Sequence, residues 1–207
     1  SGVAPTSTDV VCFPSTVAIR VQGGALTVAG WDIAPGGSVS LELGIVVTIT
    51  GEADLGGVSG AARLVVGPDA YVDGGETLAV APGGNITLEP AVAGARLTIR
   101  EGGQFTVDNV AISGVDIVNQ GTLTVNAADR LGMRPGTSLT NSGTIALNGR
   151  ATINAEAGSP VATARNEPGG LVTIDGPVFT PLSSGGLGDA AQFSVIPFTN
   201  DGTFHVR

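Results

Sequence analysis

The chain has 207 residues, 33 of them glycine, with hydrophobic residues at 42%, charged residues at 13% and aromatic residues at 4%. That composition suits many short strands joined by tight turns and leaves little room for long helices. Nine arginines and no lysine stand against 18 acidic residues, a net charge of -9, which excludes a protein that grips nucleic acid through its phosphates.

No stretch approaches the roughly 20 apolar residues that cross a bilayer, and the opening SGVAPTSTD has neither the charged nor the apolar region of a signal peptide. Residues 1–24, with TSTDVVCFPSTVAIRV at their centre, are expected to form capping strands over the first coil of a repeating body that begins at residue 25. Cys12 is the only cysteine, so no internal disulfide forms and no cysteine-based zinc site exists; its expected place is that of a small buried hydrophobe.

From residue 25 onward, short alternating runs succeed one another: ALTVAG (25–30), SVSLELG (38–44), IVVTITG (45–51), ARLVVG (62–67), ETLAVAPGG (76–84), NITLEP (85–90), ARLTIREGG (95–103) and QFTVDN (104–109). Each is a β-branched or aliphatic run closed by Gly, Pro, Asn or Asp, which predicts a strand and a corner. Leu64, Leu78, Leu97 and Leu123 suggest a loose rhythm through this half. Pro-Gly-Gly at 35, 82 and 168, Asp-Gly-Gly at 73 and Glu-Gly-Gly at 101 mark further corners.

A stricter repeat begins at NQGTLTV (119–125), returns as NSGTIAL (141–147) and NDGTFHV (200–206), and takes a looser form in NEPGGLVTI from 166. The steps between Asn119, Asn141, Asn166 and Asn200 are 22, 25 and 34 residues, the period of one coil of a β-solenoid with insertions at its turns. The longest step is assigned to an inserted loop near 177–190. Alternation places Leu123, Val125, Ile145, Leu147, Phe204 and Val206 inward, with Thr122, Thr124, Ala146 and His205 outward. Gly121, Gly143 and Gly202 are expected at corners of positive φ, and the asparagines in a ladder from coil to coil. About ten such coils at a strand spacing of about 4.8 Å would make a rod on the order of 45 Å long. The last residues lie inside a copy of the motif, which leaves a longer array, or self-association through terminal coils, as expectations.

Candidate chemistry competes with turn and packing roles at every site. Asp108 and Asp129, with Asp116, Arg130 and Arg134 nearby, form the best neighbourhood for the two carboxylates of glycoside cleavage, but scattered turn aspartates are the simpler account. Asp69, Asp73 and Glu76 could offer oxygens to calcium, although neither an EF-hand loop nor a GGxGxDxUx repeat is present. Trp31 and Tyr71 are the only large amphipathic aromatics and so the candidate binding residues, with packing at a corner or under the cap as the competing role. His205, the only histidine, has no nucleophile motif around it. Thr48 with Thr50 and Thr122 with Thr124 form TxT pairs, but Ala146 and His205 break the flat array that an ice-binding solenoid needs.

DVVCFPSTVAIRV followed by GGALTVAG, and then LTNSGTIAL, resembles the parallel β-helix segments of bacterial secreted and surface proteins, including autotransporter passengers and filamentous haemagglutinin-like adhesins. The resemblance implies an extended right-handed β-helix that serves as a stalk, adhesive surface or scaffold outside the cell. The expectation is therefore one all-β domain, a parallel β-helix with coils over 25–207, non-enzymatic and without cofactor or metal, located at the cell surface or beyond it. Its partner would be a surface glycan or a protein of a host or neighbouring cell, with no nucleic acid and no membrane insertion. The alternatives are a carbohydrate-active β-helix that binds or cleaves polysaccharide, and a module that stacks on itself.

Overall fold

The computed structural model describes residues 4–15, 18–80, 86–108, 110–127, 129–155, 162–175, 192–194 and 197–207. They form a parallel β-helix of three faces, in which every strand pairing is parallel. Coil 1 holds β1 (Val10–Phe13), β2 (Ala18–Val21) and β3 (Ala25–Val28); coil 2 holds β4 (Gly30–Ile33) and β5 (Ser38–Ile49); coil 3 holds β6 (Ala53–Asp54) and β7 (Val58–Val66). Coil 4 comprises β8 (Ala70–Val72), β9 (Thr77–Val80) and β10 (Ile86–Pro90), and coil 5 comprises β11 (Arg96–Ile99), β12 (Gln104–Val107) and β13 (Val110–Ile112). Coil 6 has β14 (Asp116–Asn119), β15 (Thr122–Val125) and β16 (Arg130–Met133), and coil 7 has β17 (Ser138–Asn141), β18 (Thr144–Asn148) and β19 (Thr152–Ala155). Coil 8 has β20 (Thr163–Asn166), β21 (Leu171–Asp175) and β22 (Gln192–Ser194), and a ninth contributes β23 (Phe198–Asn200) and β24 (Thr203–Val206).

The first strand of each coil joins a nine-stranded sheet, the first face. The remaining strands form a fifteen-stranded sheet that is continuous because β5 and β7 run through the corner between the second and third faces. Among the described residues the stack thus has nine coils, in keeping with the expected count of about ten, and eight steps of about 4.8 Å make it about 38 Å long. β1 and β2 are in-register members of coil 1, paired to β4 and β5. The expected loop near 177–190 lies outside the described residues.

Strand alternation builds the core. Phe105, Leu123, Ile145 and Val172 stack in one interior column, and Val107, Val125, Leu147 and Ile174 in the next, all buried. Each such aliphatic side chain contributes roughly 1.5–3 kcal/mol on burial. Leu64, Leu78 and Leu97 are also interior, but they belong to the third, second and first faces respectively. Their spacing is therefore not a coil period: leucine fills an inward position on any face.

Inside the first face, Trp31 registers with Ala53, which registers with Ala70. The two small neighbours leave room for the indole, which is 2% exposed and lies 4.4 Å from the Phe13 ring, centroid to centroid, at 47°. Cys12 corrects the sequence expectation. Val11 and Phe13 take the inward places of β1, so the thiol between them is exposed.

The asparagine ladder is present. Asn119 Nδ2 donates to Asn141 Oδ1 at 2.6 Å, Asn141 Nδ2 to Asn166 Oδ1 at 2.7 Å, and Asn166 Nδ2 to Asn200 Oδ1 at 2.7 Å. Asn119, Asn141 and Asn166 are fully buried. The column continues into coil 5 as Ile99, which offers no donor, and Asn119 Oδ1 is left unpaired.

Gly121, Gly143 and Gly202 do not adopt positive φ, contrary to expectation. Their requirement is proximity: a Cβ on Gly121 would overlap the Gly103 carbonyl oxygen, one on Gly143 that of Gly121, and one on Gly202 that of Gly170. The same carbonyls accept the next coil's amides, Thr144 N–H to Gly121 O at 2.8 Å and Thr203 N–H to Gly170 O at 2.9 Å. Phe204 and Val206 register with Val172 and Ile174 in the inward columns, yet they are 38% and 53% exposed. Among the described residues β24 has a neighbour, β21, on one side only. His205 registers with Thr173 in an outward row and is exposed.

Candidate functional site

The titratable and aromatic side chains gather on the first face of coils 2–5. The outward row there reads Asp54, Tyr71 and Thr98 on successive strands. The Arg100 guanidinium lies 3.7 Å from the centre of the Tyr71 ring and also reaches Asp73 at 3.3 Å. A shallow depression of about 420 Å³ beside Tyr71 is lined by Glu52, Asp69, Arg96, Thr98 and Arg100. A second, of about 390 Å³ on the side toward coil 1, is lined by Val10, Ala29, Gly30, Trp31, Asp32 and Glu52, with Tyr71 again at its border.

Beneath this surface lies a pair of carboxyls. Asp54 is 5% exposed and accepts the Gly56 N–H at 2.8 Å. The Glu76 carboxyl packs onto Gly56, where any Cβ would collide with it, and lies beside Asp54. Burial pushes Asp54 up to about 7 against the pull of the Gly56 amide, helped by the charges of Glu76, Asp73 and Asp32. Glu76 is raised as well, first by burial, and its Oε2 has no partner. Burial and the charges of Asp54 and Glu52 push the Tyr71 phenol up to about 12, with Arg100 opposing, so it stays a hydroxyl donor at neutral pH.

Of the two aromatic candidates, Tyr71 sits at the centre of this face. Trp31 borders the second depression, but only 2% of it is exposed and its indole lies inside the core with Nε1 unpaired. Asp69, Asp73 and Glu76 point to three different partners: the groove, Arg100 and Asp54. No group of three or more His, Cys, Asp or Glu side chains suited to a metal gathers among the described residues.

Asp108 and Asp129 do come together, at the corner between the second and third faces. Their carboxyls share a hydrogen bond, Asn126 Nδ2 donates to Asp108 Oδ1 at 2.6 Å, and burial followed by the Asp108 charge raises Asp129. Carboxyls in direct contact are closer than the about 5 Å that separates even a retaining glycosidase pair. Asp116 is not part of this group; it lies on β14 of the first face and accepts the Ser138 hydroxyl at 2.6 Å.

Sequence reasoning missed the Asp54–Glu76 pair and the stacking of Arg100 on Tyr71. Asp54 and Tyr71 are neighbours across a step of 17 residues, and Tyr71 and Thr98 across one of 27. No repeated motif marks those unequal coils. Comparison with family models, with curated proteins and with solved structures gives no match.

Proposed function

We propose that this chain is a non-enzymatic structural and adhesive module, a stalk or display scaffold that acts outside a bacterial cell, as the resemblance to adhesin β-helices implies. The observation that carries the reading is the buried ladder from Asn119 to Asn200. It spends interior polar groups on holding coils in register, and backbone bonds run along the same axis, so the product is a stiff rod with outward rows of Thr, Ser, Asn and Asp. Immobilised protein should retain cells or surface glycans without releasing reducing sugar from the polysaccharides it holds. Sustained sugar release would overturn the proposal.

A second reading, a polysaccharide-cleaving β-helix, draws on the raised Asp129 beside Asp108, although the two carboxyls stand closer than a glycosidase pair. It requires turnover that Asp108→Ala or Asp129→Ala abolishes.

A further inference from the structure

We infer that the paired depressions flanking Tyr71 on the first face form a binding site for a neutral oligosaccharide laid along the helix axis. The inference deepens the adhesive reading and rests on it. Every strand bordering Tyr71 is paired on both sides, β8 between β6 and β11 and β4 between β1 and β6. The face therefore has no free backbone edge for a peptide strand to join, and a ligand must be read by side chains.

Those side chains have the chemistry of sugar recognition. Asp32, Glu52 and Asp69 offer carboxylate oxygens that accept from hydroxyls, and each can take two from a vicinal diol. Arg96 and Thr98 supply donors along the same strand, and no side-chain ion pair or hydrogen bond of Arg96 occurs among the described residues. Tyr71 brings a hydroxyl and an aromatic ring. Arg100 covers one ring face, while the depression toward Val10 and Gly30 lies on the tyrosine's other flank. Val10 is 62% exposed and Gly30 carries no side chain, so the C–H face of a pyranose has an apolar floor there.

The charge pattern selects among carbohydrates. Three carboxylates border the depressions, and the chain carries a net charge of -9, so a polyanionic glycan is repelled along most of its path. A polycation would meet Arg96 and Arg100. A neutral chain meets neither penalty and satisfies both donors and acceptors. One pyranose ring is about as long as one coil step of about 4.8 Å, so successive sugars can address successive coils. The depressions are shallow and open, so each site binds weakly and adhesion requires several at once.

The test is a glycan array followed by calorimetry with the best neutral binder, using cellopentaose and mannopentaose as defined neutral probes and a hyaluronan hexasaccharide as the anionic one. Neutral glycans should bind and hyaluronan should not. Tyr71→Ala and Arg96→Ala should each weaken binding at least about tenfold, Tyr71→Phe less than Tyr71→Ala, and Thr124→Ala on the second face not at all; circular dichroism melting checks that each variant is folded. The inference is overturned if no neutral glycan binds, if hyaluronan is preferred, or if folded Tyr71→Ala and Arg96→Ala variants bind as the parent does. Cell adhesion that persists in those two variants would remove this site and leave the adhesive reading standing; loss of all adhesion by the parent would remove both.

Discussion

The coils from β14 onward and those before it obey two different rules. In coils 6–9 the corner after the first face is a repeated device, with asparagine in the core and, one coil above another, glycine under the next backbone. In coils 1–4 the same interior column is filled by Phe13, Ile33, Leu55 and Val72, the coil lengths vary, and β5 carries two more residues than β7 at one corner. The regular half puts its polar interior groups into register. The irregular half holds its strands by apolar packing and places its unusual chemistry on the first face, around Tyr71 and the buried Asp54. Repetition here marks structure, and departure from it marks the candidate site.

The largest expected effect tests the regular half. At Gly170 a Cβ would overlap Asn166 Oδ1 and the Asn141 backbone, whereas at Gly169, with φ of 93°, nothing lies within 4 Å. Gly170→Ala should cost about 3 kcal/mol or more and Gly169→Ala about 1 kcal/mol, read by urea denaturation. Equal losses would mean that backbone conformation, and not close approach, decides the corner. Next, Asn141→Leu should cost about 2 to 3 kcal/mol, because it takes from buried Asn166 Oδ1 the donor it has in Asn141 and from Asn119 Nδ2 its partner in the ladder.

The irregular half should respond to pH. Asp54 is raised to about 7 in the fold but sits near 3.9 in an unfolded chain. The unfolded chain gives up this proton first, so the contribution of Asp54 to stability is complete below about pH 4 and is lost as pH rises through about 7. Asp54→Asn should therefore flatten the dependence of Tm on pH across that window and gain about 2 kcal/mol at pH 8 relative to the parent. An unchanged pH profile would contradict the placement of the pair. The smallest effect belongs to the exposed Arg63–Glu89 pair: Glu89→Gln should change stability by under about 0.5 kcal/mol.

Much of the fold was legible in the residues. The 22, 25 and 34-residue steps of the asparagines recur as the hydrogen-bonded ladder, and the alternation in Thr122–Val125 assigns the buried and outward side chains. The glycines of the motif were legible as corners, but the reason for them was not, because close approach of a neighbouring coil depends on which carbonyl lies beneath. Cys12 was misplaced because its small apolar side chain fits either side of a strand, and only the register of Val11 and Phe13 decides between them. Tyr71 could be singled out by rarity alone. Its companions Asp54, Arg96 and Arg100 reach it across coils of unequal length, and nothing local in the sequence encodes that adjacency.

The parallel, in-register stacking of coils is tested most directly by cysteine cross-linking. With Cys12 replaced by serine, Thr124 and Ala146 are changed to cysteine in one variant, and Thr124 and Thr173 in another, and each is treated with dibromobimane. Thr124 registers with Ala146 on the adjacent coil and lies two coils from Thr173, separations of about 4.8 and about 9.6 Å. Efficient bridging of 124 to 146 and little of 124 to 173 is the expected result. Bridging of neither pair, or preferential bridging of 124 to 173, would contradict the stacking on which the rod, the ladder and the groove all depend.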